Sequence, residues 1–216
     1  VWTANVVALL IGFGLYSSSS LAPQFAQTGS EVAGYGLGIS VTESGLMMLP
    51  SCLISFLVGL LATRLATRYG ARRLIVLGSL VSALGMASLA VLHYAFWHIA
   101  FGAALGGFGT GLTLALLANQ VVAAVGPHQT GTATGMNANM RTIGGAVGSA
   151  VLASVLAAYP GAGGLPAETG YTLGFLLIAA ALACAALVGL AIPRTAAKRG
   201  EPDHPLAVTA APGGAS

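Results

Sequence analysis

Of the eight basic residues in this 216-residue chain seven are arginines. One, Arg141, falls at or within an apolar stretch, where a charge is costly enough to point to a function. Either it touches a polar solute, or its long stem snorkels to water or anionic headgroups and anchors a helix end. A helix starting near Asn137 would put Arg141 about one turn inside the boundary, which favours anchoring. Asn137 and Asn139 precede it at every second position, so on a helix the three side chains point in different directions and at most one or two face a cavity. A second polar group, Asn5, Tyr16, the run Ser17 to Ser20 and Gln24, is more than a helix can expose to lipid all round. It lines a cavity for a polar or amphipathic solute, or its hydroxyls bond back to their own backbone. No Asp or Glu falls inside an apolar stretch, so intramembrane acid–base chemistry lacks a candidate here. His93 and His98 read as interfacial residues without a role. Cys52 and Cys184 lie in apolar runs, with neither a disulfide framework nor metal-ligand spacing.

The elements that position these residues are membrane helices. Apolar residues make up 56% of the chain and charged ones 6%, and the mean hydropathy is +0.87, against about 25% charge in soluble domains. A net charge of +3 from so few groups builds no basic face, which excludes nucleic acid as a partner. Uncharged runs approaching the roughly 20 residues needed to span predict six helices, at about 2–22, 44–62, 74–92, 96–118, 137–158 and 171–192. Arg64, Arg68, Arg72 and Arg73 then fall on the same side as Arg194, Lys198 and Arg199, the side that the positive-inside rule assigns to the cytoplasm. The opposite connections hold only Glu31, Glu43 and Glu168. The segment 194–216 mixes Pro, Gly, Ala and charges without periodicity and is expected to be a disordered cytoplasmic tail. Val1 opens directly into an apolar stretch with no basic lead and no initiator methionine, so the chain is expected to be a piece of a longer protein. Small residues at four-residue spacing, among Gly102, Gly106, Gly107, Gly109 and Gly111 and again at Gly144 and Gly148, predict close helix contacts or helices that bend.

Between the second and third predicted helices, Thr63 to Arg73 reads T-R-L-A-T-R-Y-G-A-R-R. It resembles the second-half cytoplasmic loop signature of the major facilitator superfamily, G-R-L-A-D-R-x-G-x-R-R. Gly70 permits the tight turn, and Arg64, Arg68, Arg72 and Arg73 meet helix ends, acidic partners and inner-leaflet headgroups. Thr67 stands where the family commonly has Asp. Gly131 to Val151 resembles the penultimate helix of the fourteen-helix drug:proton antiporter branch, the EmrB/QacA-type exporters. Thr134, Gly135, Asn139 or Asn137, Arg141, Gly144, Gly145 and Gly148 carry the likeness, with a loose Asn-to-Arg spacing. Gly34 to Pro50 is similar to the lead-in of a helix in such proteins.

The resemblance implies an all-α membrane protein: a six-helix bundle that is the C-terminal half of a secondary transporter, with substrate at the midplane between two halves. The implied work is alternating access, protons moving in as amphipathic compounds move out, with no cofactor. The implied partners are a small-molecule substrate, protons, the lipid bilayer and the missing N-terminal half, which would hold the coupling carboxylates. Expected cavity positions are Phe13, Tyr16 and Ser17 on the first helix, Thr110 and Thr113 on the fourth and Asn139 on the fifth. Two other transporter readings stand beside this one, a self-contained six-helix protein that dimerises and a transporter of non-drug metabolites. An enzyme would need intramembrane Asp, Glu or His in catalytic spacing, and the spans offer none. Abundant Ala, Gly and Arg suggest a GC-rich bacterial genome and a multi-pass plasma-membrane protein with both chain ends in the cytoplasm.

Overall fold

The computed structural model describes residues 2–192, so the expected tail at 194–216 lies outside the described residues. Among those described, six helices are long and apolar enough to cross a membrane: α1 (Trp2–Gln27), α3 (Val41–Tyr69), α4 (Ala71–Val91), α5 (Phe96–Ala123), α6 (Thr130–Ala158) and α7 (Glu168–Gly189). A four-residue helix, α2 (Ser30–Ala33), and two short 3-10 turns complete the helical content. The β pairing among the described residues is one isolated antiparallel bridge, Pro160 to Pro166.

Most helices run past the spans expected for them, because freedom from charge marks the hydrocarbon layer and not the helix. α1 continues through Pro23 to Gln27. One lost N–H is outweighed by burying Phe25 and Ala26, both at most 1% exposed, and the Thr28 hydroxyl then donates to the Gln24 carbonyl at the helix end. α3 begins at Val41 because Ser40 and Glu43 form a capping box: the Glu43 N–H donates to Ser40 Oγ and the Ser40 N–H to Glu43 Oε2. At its other end nothing breaks the helix before Gly70, so Arg64 and Arg68 lie within α3. α6 starts seven residues before Asn137, with Thr134 Oγ1 donating to the Thr130 carbonyl. Arg141 therefore sits three turns into α6, about 17 Å along its axis at 1.5 Å per residue, and not one turn from the helix start.

The helices pack chiefly with partners distant in sequence. α1 lies against α6 and α7, α4 against α7 and α5, and α5 against α3, which leaves α3 and α6 at the two ends of this order. Gly70, with φ +86°, is the single residue between α3 and α4. A side chain at that backbone angle is strained, and the sharp turn directs α4 away from α3, onto α5 and α7. Glu31, Glu43 and Glu168 mark one end of the bundle and Arg64, Arg68, Arg72 and Arg73 the other. These are named below the glutamate end and the arginine end.

Candidate functional site

Phe13, Tyr16 and Ser17 occupy one face of α1 at helical spacing, and that face meets α6. A Cβ on Gly148 would stand 2.5 Å from Ser17 Oγ and 2.8 Å from the Phe13 carbonyl, and one on Gly145 would strike the Tyr16 ring. One turn away, a Cβ on Gly144 would strike the Leu9 carbonyl, and one on Gly12 would strike the Arg141 carbonyl. These glycines let the two backbones touch, the device that drives helix association where lipid is as apolar as leucine. The same contact decides which expected cavity positions are open. Ser17 is fully buried, its hydroxyl without a partner among the described residues, while Phe13 is half-buried and Tyr16 is exposed along one side. Thr113 is likewise fully buried, facing Gly78 of α4. Thr110 is half-buried and Asn139 exposed. It is Asn137 that turns inward, its Nδ2 donating to Asn5 Oδ1 at 3.0 Å and to the Ala4 carbonyl at 3.3 Å. Arg141 is half-buried.

A cavity of about 280 Å³ opens among α1, α3, α4, α5 and α7, near the middle of α5. Ser18, Ser19, Met48, Ser51, Ser82, Met86 and Thr110 are in its wall, and no Asp, Glu, Lys, Arg or His lines it. Four of those hydroxyls donate to backbone carbonyls: Ser18 to Leu15, Ser19 to Tyr16, and both Ser82 and Thr110 to Gly106. Their hydrogens are committed, so the wall offers methionine and methylene surface with hydroxyl lone pairs. Ser18 and Ser19 line this cavity, while the buried Ser17 does not. In a run of four identical serines the facing member is set by where α6 docks, and the signal for that is the glycine stripe on α6. A second opening, about 400 Å³, lies between α1 and α6 toward the glutamate end, lined by Ser20, Gln24, Ser149, Leu152 and the stretch around Leu165.

At the arginine end, Arg64 and Arg68 lie in the last turns of α3, where cations suit the helix dipole, and Arg72 and Arg73 lie in the first turn of α4. Arg68 stands 5.4 Å from the Tyr69 ring centroid. Thr67, lacking the family's carboxylate, donates its hydroxyl to the Arg64 carbonyl at 2.7 Å. Among the described residues no carboxylate pairs with these arginines, which leaves them to water and headgroups.

The glutamate end is closed by aromatic rings that sequence reading did not join. Phe25 of α1 meets His93 edge-on at 5.1 Å, Tyr171 at 5.3 Å and Phe175 at 6.3 Å, and it stacks on Tyr35 at 5.6 Å. The Tyr35 hydroxyl donates to the Pro166 carbonyl, and burial pushes that phenol up to about 12. His93 Nε2 contacts Glu168 Oε1 at 2.7 Å. The available signal was modest: four aromatic residues and a histidine, each near a helix end on the same side.

Six apolar helices interlocked by glycine, five of them around a cavity lined by no charged side chain, make a polytopic membrane fold. The sequence matches the Major Facilitator Superfamily over residues 4–211, and the chain belongs to that family. Transporters make up that family, and relatives of this chain are named for drug resistance and export. Among its relatives, the multidrug resistance protein Stp of Mycobacterium tuberculosis is 34% identical over 148 residues, covering 68% of this chain and 26% of that protein. The cephamycin export protein CmcT of Amycolatopsis lactamdurans is 38% identical over 136 residues, 61% of this chain and 28% of that protein. The chain thus spans about a quarter of the length of the curated relatives it matches. Relatives named for drug resistance and antibiotic export support the resemblance to EmrB/QacA-type exporters. In solved structures the chain resembles the peptide transporter POT in complex with alafosfalin, with a TM-score of 0.72 and 19% identity over 88% of this chain and 37% of that one. The nucleoside transporter NupG also gives 0.72, with 17% identity over 87% of this chain and 46% of that one. At such identities the likeness is one of fold.

Proposed function

We propose that this chain is the C-terminal six-helix half of a proton-coupled exporter of drugs or other amphipathic small molecules, working by alternating access in a bacterial plasma membrane. The observation that carries the reading is the kinship with Stp and CmcT, proteins named for drug resistance and antibiotic export, of which this chain covers one part. The missing N-terminal half docks on α3 and α6, which stand at the two ends of the packing order and expose large apolar side chains such as Leu53, Phe56 and Val147. The arginine end faces the cytoplasm, as the positive-inside rule requires, and so do both chain ends. An apolar cavity edged with hydroxyl lone pairs suits an amphipathic compound. The expected lining positions that remain open, Phe13, Tyr16, Thr110 and Asn139, contact it in one or another state of the cycle. Acids that carry the coupling proton belong to the other half, because the described acidic residues stand at helix ends.

The test is ethidium accumulation in cells that express the intact protein. Expression should lower accumulation severalfold, a protonophore should abolish the difference, and Tyr16→Ala should alter the efflux rate or the range of compounds exported. Unchanged accumulation of ethidium and of a cephamycin would overturn the exporter reading. Efflux insensitive to the protonophore would overturn the coupling ion, and an unaltered Tyr16→Ala profile would remove Tyr16 from the pathway.

A further inference from the structure

His93 and Glu168 form the one base–carboxylate contact within 4 Å among the described residues, and the proposed pathway does not use them. His93 lies in the connection between α4 and α5 and is 5% exposed, while Glu168 opens α7 with its side chain 39% exposed. The two ring nitrogens have different partners. Nδ1 is 2.8 Å from the Leu89 carbonyl, and Nε2 is 2.7 Å from Glu168 Oε1. A carbonyl oxygen only accepts, so Nδ1 carries a hydrogen. An ionised carboxylate also only accepts, so a proton must lie between Nε2 and Oε1. It belongs either to an imidazolium facing a carboxylate or to a carboxylic acid donating to a neutral imidazole, and the proton count is the same in both.

We propose that His93 and Glu168 form a proton-binding clasp at the glutamate end, which takes up one proton on closing and opens when that proton is lost. A neutral imidazole has a single N–H for two acceptors, so one of the two short contacts must break. Leu89 is fully buried and its carbonyl has no water to turn to, whereas the half-exposed carboxylate can rotate into solvent. The contact that yields is the one holding α7 to the α4–α5 connection, 75 residues apart in sequence. Rising pH therefore opens the clasp and falling pH closes it.

Other groups around the histidine do not compete for this proton near neutrality. A crevice of about 150 Å³ is lined by the pair itself and by Phe25, Ser30, Gly34, Tyr35, Gly36 and Tyr94. Its remaining ionisable groups are phenols, as is Tyr171 next to Tyr35, and phenols hold their protons until about pH 10. The Tyr35 bond to Pro166 fastens the α2–α3 connection to the stretch just before Glu168, so release at Glu168 loosens three connections at one end of the bundle. The clasp does not depend on which compound is carried.

Pulsed electron paramagnetic resonance on the intact protein in lipid nanodiscs tests this directly. Spin labels would be placed at the exposed positions Trp97→Cys and Thr169→Cys, with Cys52 and Cys184 changed to serine. One short distance is expected at pH 6, with a second, longer population appearing at pH 9. Glu168→Gln should hold the short distance at both pH values, because the amide can donate to or accept from Nε2. His93→Phe should give the long one at both. A pH-independent distribution in the otherwise unaltered protein would overturn the clasp, whether or not either variant folds. So would a Glu168→Gln protein that keeps the full pH response. A second readout needs no change at the pair: with His98, His128 and His204 replaced by glutamine, the Nε2 resonance of His93 should move between pH 6 and 9 while Nδ1 stays protonated. A static Nε2 together with an unchanged distance distribution would equally overturn the assignment.

Discussion

α6 and α3 are both 29-residue helices, and the more leucine-rich of the two is the less buried. α3 exposes Leu46, Leu49, Leu53, Phe56 and Leu60, and its buried residues are Ser44, Met47 and Ala62. α6 buries Gly144, Gly145 and Gly148 against α1. In water the leucines would be the core. In lipid a leucine gains nothing by leaving one hydrocarbon surface for another, and what brings helices together is close backbone approach and hydrogen bonds that lipid cannot supply. α3 is held by the same means on its narrow inner side, where Gly107 and Gly111 of α5 abut Ser51 and Ser55. The contrast is between the part of each helix surface given over to small residues, which is wide on α6 and thin on α3.

The contrast can be broken at its strongest point by Gly144→Leu, which drives a side chain into the Leu9 carbonyl. The expected cost is about 3 kcal/mol, the upper range for overpacking, read as a lower melting temperature and loss of the monodisperse peak in detergent. Survival of the variant would mean that the seam is looser than the contact requires. A smaller effect is expected from the hydrogen bond that seals the same seam. In a double-mutant cycle of Asn5→Ala and Asn137→Ala, the coupling should be about 1 kcal/mol, as for other hydrogen bonds between membrane helices. Coupling near zero would leave glycine contact as the whole of the attachment. Smallest of all, Leu53→Ala on α3, at a position 59% exposed, should change unfolding of this chain by no more than about 0.5 kcal/mol. A larger loss in the intact protein than in the chain alone would identify the α3 face as one covered by protein and not by lipid.

The number of helices was readable from run length together with breaks: charges bound the spans at Glu43, at Arg64 to Arg73 and at Glu168, whereas the long uncharged run from Leu74 to Met140 had to be divided by the turn at His93 and Tyr94 and by its length. Boundaries were not, since Arg64 and Arg68 extend α3 beyond its apolar run and seven uncounted residues precede Asn137 in α6. The glycine spacing on α5 and α6 pointed to close contacts, but it could not say which helix each glycine meets. α5 in fact divides its set, Gly109 abutting Gly78 on α4 while Gly107 and Gly111 abut α3. Tyr16 and Ser17 were read as one cavity face, yet Ser17 is covered by Gly148 while its neighbour Ser18 reaches the cavity. His93 and Glu168 could be placed at the same end from topology. That they touch depends on how α7 docks beside α4, which no local pattern encodes.

The bond between Asn5 and Asn137 joins residues 132 apart, and that separation governs how the protein is made. At about 5–20 residues per second of synthesis, α1 leaves the ribosome on the order of ten seconds before its principal partner exists. During that interval the face that α6 will cover, with Asn5, Gly12 and Ser17 on it, meets lipid, the insertion machinery or helices made earlier, and α7 emerges later still. The biogenesis of this bundle is therefore a wait: a helix whose polar and small-residue face is unfit for lipid must be sheltered until α6 arrives to cover it.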